Sequence, residues 1–207
     1  MNIANKLTVT RIFLIPFFML CLLYGNQGSN SLGIVIMTYL AFLIFIAASL
    51  TDLIDGYLAR KYNLTTNFGR LFDPLADKML VTVAFVGFVE MGLFPAWIVI
   101  LILCREFLVT GLRTLGLTQG RMIQADKWGK HKTVSQMITI IATLIFICAR
   151  ETLKYTDHWD KIIVRRMEAD WWYLMGLHIL LYYCAALTLY SGAVYLYRNR
   201  DLFHGEV

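Results

Sequence analysis

Charge is what this chain has least of. Of its 207 residues, 58% are hydrophobic and only 16% charged, where a soluble domain runs near a quarter charged. No Asp, Glu, Lys or Arg occurs from Ile12 to Thr51, nor from Trp171 to Tyr197. A bilayer core takes about 20 apolar residues per helix, so both stretches must hold membrane spans. That excludes a disordered chain and a secreted disulfide scaffold. Cysteine is also scarce: Cys21, Cys104, Cys148 and Cys184 lie far apart in apolar stretches with no C-x-x-C pair, and read as small apolar helix residues. His131, His158, His178 and His204 show no H-E-x-x-H spacing. The net charge of +5 does not indicate nucleic acid in so apolar a chain; it fits cytosolic loops facing anionic headgroups. Lys6 and Arg11 precede an apolar run as in a signal peptide, but no small-residue cleavage motif follows. An uncleaved first helix is expected.

Six apolar stretches are present, at about Leu7–Tyr24, Leu32–Ala59, Pro74–Gly92, Ala96–Leu117, Gly129–Ala149 and Trp171–Tyr197. Backbone groups in lipid must be satisfied within the segment, so each is expected to be a helix. The expected fold is an all-α integral membrane protein of six transmembrane helices, one domain over 1–207. Neither repeats nor low-complexity linkers interrupt it. The loops set its orientation. Lys6, Arg11, Arg60, Lys61, Arg70, Lys78, Arg113, Arg121, Lys127, Lys130, Lys132, Arg198 and Arg200 fall on one side; Arg150, Lys154, Lys161, Arg165 and Arg166 fall on the other. The richer side is cytosolic by the positive-inside rule, which puts both termini inside. The Arg150–Asp170 connection carries as many acids as bases, and Trp159, Trp171 and Trp172 suit an outer interface. Tyr182 and Tyr183 read as packing or belt residues.

Of only 14 acidic residues, four fall between Asp52 and Asp77. Asp52 and Asp55 share a helix face at the cytosolic end of the second span, and Asp73 and Asp77 share one at the start of the third. If these spans pack as neighbours, four carboxylates meet near the membrane surface, which is untenable without compensating charge. Hard divalent cations supply it, and four carboxylates are enough for two of them. Gly56 and Ala59 leave room on the same face for a bulky ligand. Gly69 stands where the loop must turn, and Arg60 offers a planar cation suited to phosphate. Taken singly, Asp55 or Asp73 could be a helix cap or a solvated loop residue. Taken together, intramembrane acids point to function.

The pattern D52-x-x-D55-G56-x-x-A59-R60-x8-G69-x-x-x-D73-x-x-x-D77 resembles the signature of the CDP-alcohol phosphotransferases at all its fixed positions. The six-span layout resembles that family's fold over nearly the whole chain. The resemblance implies a site for two Mg²⁺ or Mn²⁺ ions held by Asp52, Asp55, Asp73 and Asp77, with Asp77 also the general base. It implies that Asp55, Gly56, Ala59, Arg60 and Gly69 accommodate the CDP part of the donor. It further implies a homodimer in the cytoplasmic membrane of a bacterium, with its active site facing the cytosol.

Three more segments bear on the acceptor. Asn5–Arg11, including Thr10 and Arg11, opens the first span; Arg105 and Arg113 lie two turns apart on the fourth; Lys130 and Lys132 begin the fifth, where a helix N-terminus favours an anion. They place cations around the end that carries the aspartates, which suits an acceptor bearing phosphate. The wording N-K-L-T-x-x-R, R-E-F-L-V-T-G-L-R and G-K-x-K-T is similar to bacterial phosphatidylglycerophosphate synthases in particular. That likeness implies transfer from CDP-diacylglycerol to sn-glycerol 3-phosphate among membrane lipids, with no nucleic acid partner. Phosphatidylglycerol, as in a cardiolipin synthase, or an inositol phosphate are the alternative acceptors. Lys130 and Lys132 also suit lipid anchors, and Arg105 also suits an intramembrane pair with Glu106. A divalent-cation transporter would instead need acids near mid-membrane and a polar path outward.

Overall fold

The computed structural model describes residues 3–25, 32–62, 67–118, 127–156, 163–164 and 167–200; the side chains at 52–77 lie outside the described set. Six helices follow in order: α1 (Ile3–Tyr24), α2 (Leu32–Tyr62), α3 (Asn67–Glu90), α4 (Ala96–Thr118), α5 (Lys127–Tyr155) and α6 (Ala169–Arg198). All six expected helices are present, most of them running a few residues further than the apolar stretches alone suggest. Between α5 and α6 the sequence reading missed a short antiparallel ribbon, β1 (Ile163–Val164) paired with β2 (Met167–Glu168), in register Ile163↔Glu168 and Val164↔Met167. Strands of two residues leave no usable alternation, which is why no period signalled them.

α3 needs a correction. The apolar stretch predicts a start at about Pro74, with Gly69 in the preceding loop. The helix instead begins at Asn67, so Gly69 is helical and Pro74 lies in the interior. A proline there gives up one backbone hydrogen bond and its ring crowds the carbonyl four residues earlier. Asp73 and Asp77 consequently lie in the second and third turns of α3 rather than at its opening.

α1 packs on α2 and α3, α5 on α2 and α6, and α4 on α6 and α3, while α2 and α3 also touch. Phe18, Phe45, Phe85, Phe88, Ile102, Ile140, Leu144 and Leu181 form the buried centre, drawn from all six helices. Gly87 lets α1 come close to α3, since a Cβ there would stand 2.7 Å from Leu22 Cδ2; small residues at such crossings are the usual device between spans. Polar residues inside the helices bond back to their own turns: Thr38 Oγ1 donates to the Ile34 carbonyl at 2.8 Å, and Thr143 Oγ1 to that of Thr139 at 2.7 Å.

The α3–α4 turn is decided by one glycine. Gly92 has φ 70°, a conformation costly for any residue with a Cβ. Its N–H donates to the Val89 carbonyl at 2.9 Å, and that of Leu93 to the Phe88 carbonyl at 2.9 Å. These two bonds close a Schellman motif over the last carbonyls of α3. Leu93 and Phe94 then fold into the core, where Phe94 meets Phe88 edge to face at 5.4 Å.

The outer surface is inverted relative to a soluble protein. Phe13, Phe17, Trp97, Ile100, Ile138, Ile179 and Tyr183 are each more than half exposed, which water does not tolerate over so large an area and lipid does. Among the described residues, Leu32–Thr51, Gly129–Tyr155 and Trp171–Arg198 are long and apolar enough to cross a membrane, with a shorter apolar stretch at Val9–Tyr24.

Candidate active site

At one end of the bundle, where α3 and α5 begin and α4 and α6 finish, a cavity of about 480 Å³ opens. Its charged lining is Lys78 of α3, Arg105, Glu106 and Arg113 of α4, and Lys130 and Lys132 of α5. Among the described lining residues five cations face one carboxylate, a balance that favours an anion on that wall. Four of the cations expected to meet an acceptor (Arg105, Arg113, Lys130 and Lys132) are therefore brought together from two helices. Thr10 and Arg11 are not among the described lining residues. Arg11 is instead 1% exposed on α1, inside the bundle, while Thr10 is exposed.

Glu106 organises the floor of the cavity; its pairing with Arg105 was legible in the sequence, its contacts with Lys132, Gln136 and Lys78 were not. Its Oε1 is ion-paired with Lys132 Nζ, accepts a hydrogen bond from Gln136 Nε2 at 3.2 Å, and stands 3.5 Å from Arg105 Nη1. Its backbone carbonyl accepts from Lys78 Nζ at 3.2 Å and from Thr110 Oγ1 at 2.7 Å. The Glu106, Lys132 and Arg105 side chains are 12%, 7% and 10% exposed. Charges buried this far require partners, and here they supply one another. Lys132 and Gln136 are one turn apart on α5, and a Gln in a predominantly apolar helix was the available signal for this cluster.

Arg105 also reaches α6, where its Nη2 donates to Ser191 Oγ at 2.7 Å. Arg113 and Lys130 differ from this buried set. Both are exposed in the cavity wall, and among the described residues neither has a carboxylate partner. Among the described residues the cavity thus combines a tied, buried floor with exposed cations in its wall.

The aspartates belong to the same end. Asp52 and Asp55 are on α2 and Asp73 and Asp77 on α3, with only residues 63–66 between the two helices. Their side chains, and those of Gly56, Ala59, Arg60 and Gly69, lie outside the described residues. The backbone register is still informative. Val81 and Lys78 line the cavity, and position 77 lies one turn before Val81, with position 73 one turn earlier, so all three share a strip of α3. Carboxylate oxygen alone, with no sulfur or imidazole in the set, is a donor chemistry that fits hard divalent ions.

A family model described as CDP-alcohol phosphatidyltransferase matches residues 1–180. The chain is 45% identical over 148 residues to a CDP-diacylglycerol–glycerol-3-phosphate 3-phosphatidyltransferase of Bacillus subtilis, covering 70% of this chain and 77% of that protein. It is 38% identical over 163 residues to the protein of that name in Rickettsia felis, covering 79% and 85%. To the Mycoplasma pneumoniae protein so named it is 31% identical over 204 residues, covering 94% and 86%.

Proposed function

The chain belongs to the CDP-alcohol phosphatidyltransferase family, and from that premise we propose that it transfers the phosphatidyl group of CDP-diacylglycerol to sn-glycerol 3-phosphate. The products are phosphatidylglycerophosphate and CMP. The observation that carries this reading is the cationic cavity bordered by the strip of α3 that bears positions 73 and 77. It offers a small anionic acceptor a place beside the acids.

In this reading Asp52, Asp55, Asp73 and Asp77 hold two Mg²⁺ or Mn²⁺ ions, which when bound neutralise the pyrophosphate of the donor. Gly56, Ala59, Arg60 and Gly69 receive the CDP group. Arg113 and Lys130 meet the acceptor phosphate first, and Arg105 and Lys132 orient it deeper in the cavity. Asp77 takes the proton of the acceptor's primary hydroxyl as that oxygen attacks the phosphorus attached to diacylglycerol; the bond to CMP breaks and CMP leaves.

All six helices span the membrane in this reading, with both termini and the cavity on the cytosolic side of a bacterial inner membrane. The part of α2 without Asp, Glu, Lys or Arg runs from Leu32 to Thr51, 20 residues, about 30 Å of helix, close to the hydrocarbon thickness. Asp52 then begins the first turn beyond it. A homodimer belongs to the same proposal and is read by mass in detergent.

The test is CMP release by the purified protein from CDP-diacylglycerol and Mg²⁺, with one acceptor at a time. Release with glycerol 3-phosphate alone supports the proposal. Release with phosphatidylglycerol or an inositol phosphate instead replaces the acceptor and keeps the chemistry. Folded protein that releases no CMP with any of them refutes the enzymatic reading.

A further inference from the structure

The family match ends at residue 180, yet the cavity wall is completed beyond it by Ser191 and Tyr195 of α6. We infer that Ser191 and Gly192 are positioning residues for acceptor binding, which seat the Arg105 guanidinium in the cavity. The inference rests on the proposed role of Arg105 toward the acceptor phosphate.

Two features of α6 act on one side chain. Ser191 is 3% exposed, and its Oγ accepts from Arg105 Nη2 at 2.7 Å. Gly192, the next residue, provides the space in which the arginine stem lies: a Cβ there would stand 2.8 Å from Arg105 Cγ, 3.2 Å from Nε and 3.6 Å from Cδ. Such a distance from Cγ forces a displacement near the root of the side chain, where a rotation swings the guanidinium furthest. From the other side, Glu106 Oε1 stands 3.5 Å from Nη1. The planar group is therefore fixed by contacts from α4 and α6, with hydroxyl and carboxylate on its two terminal nitrogens. An arginine held in this way loses little rotamer entropy when an anion arrives, and preorganisation of that kind appears as affinity.

Steady-state kinetics on the full-length enzyme test this, with Ser191→Ala, Ser191→Thr and Gly192→Ala each made alone and in an Arg105→Met background. Ser191→Ala and Gly192→Ala are expected to raise the KM for glycerol 3-phosphate about tenfold, with kcat and the KM for CDP-diacylglycerol unchanged. Ser191→Thr keeps the hydroxyl and is expected to stay near wild type. In the Arg105→Met background neither alanine variant has anything left to position, and the further change is below about twofold. Gly176→Ala on the same helix, where a Cβ meets nothing within 4 Å, is the control and leaves all three parameters unchanged. If Gly192→Ala does not fold, the Ser191 pair carries the test. An unchanged acceptor KM in Ser191→Ala overturns the inference, as does an equal loss with Arg105 already removed. A wild-type acceptor KM in Arg105→Met removes the premise about Arg105 and the inference with it. Wild-type enzyme that releases no CMP with glycerol 3-phosphate fails the functional reading before any variant is compared.

Discussion

Replacing Glu106 by Gln keeps the shape of the floor of the cavity and removes its only negative charge among the described lining residues. At 3.5 Å from Arg105 Nη1, a carboxylate in an environment of effective dielectric near 20 attracts that cation by about 5 kcal/mol before desolvation is counted. The carboxylate also pairs with Lys132, and these side chains are 7% to 12% exposed. Breaking a buried pair while leaving the partner charged costs about 3–5 kcal/mol. Gln still accepts one hydrogen bond, so the lower end, about 3 kcal/mol, is expected. For a domain of this size that lowers the Tm by about 6–12 °C. Lys132→Met in the same protein should recover part of the loss, because it removes one of the two stranded cations. The expected coupling between the two sites is about 2 kcal/mol. Thermal unfolding of the four proteins in one detergent, followed by tryptophan fluorescence, reads the cycle. Additivity within about 0.5 kcal/mol would show that the ion pair is not what holds the floor together. So would a Glu106→Gln variant that unfolds with the wild type.

Three further outcomes are expected. Asp77→Asn lowers kcat by about 10²- to 10⁴-fold while much of the binding of CDP-diacylglycerol survives; a kcat equal to wild type removes Asp77 from proton transfer. Treatment with EDTA abolishes CMP release and excess Mg²⁺ or Mn²⁺ restores it, whereas turnover persisting in the chelator refutes the use of the four aspartates as metal ligands. Gly92→Ala forces a Cβ into a φ of 70°, costs about 1 kcal/mol and lowers the Tm by about 2–4 °C. Because the α3–α4 turn is at the opposite end of the bundle from the cavity, its kcat should stay at the wild-type value; a large loss of activity would mean that the two ends are coupled.

Several features were determined by the sequence alone. Long uncharged runs leave the backbone no partner but its own helix, so the existence and order of the helices follow from hydropathy. The aspartate spacing of three and four is a helical face whatever the neighbours do, and with Gly56, Ala59, Arg60 and Gly69 it was enough to indicate the family. Helix starts were less legible. Pro74 is compatible with a first turn, but proline also occurs inside a helix at the cost of a bond and a ring clash, so it does not by itself mark where α3 starts. The β1–β2 ribbon was too short to carry a period.

The cluster around Glu106 was decided by the tertiary structure. In the chain Lys78, Glu106, the Lys132–Gln136 turn and Ser191 are separated by tens of residues, and each alone reads as polar positions in an apolar helix. Packing α3, α4, α5 and α6 at one end brings them within hydrogen-bond reach. Burial then makes their charges interdependent, because a cation withdrawn from water needs its partner. Periodicity reports which face of a helix a residue occupies; which residue of another helix lies opposite depends on the crossing and register of the helices. That is why the acids were readable from spacing while the seat of Arg105 against Ser191 and Gly192 was not.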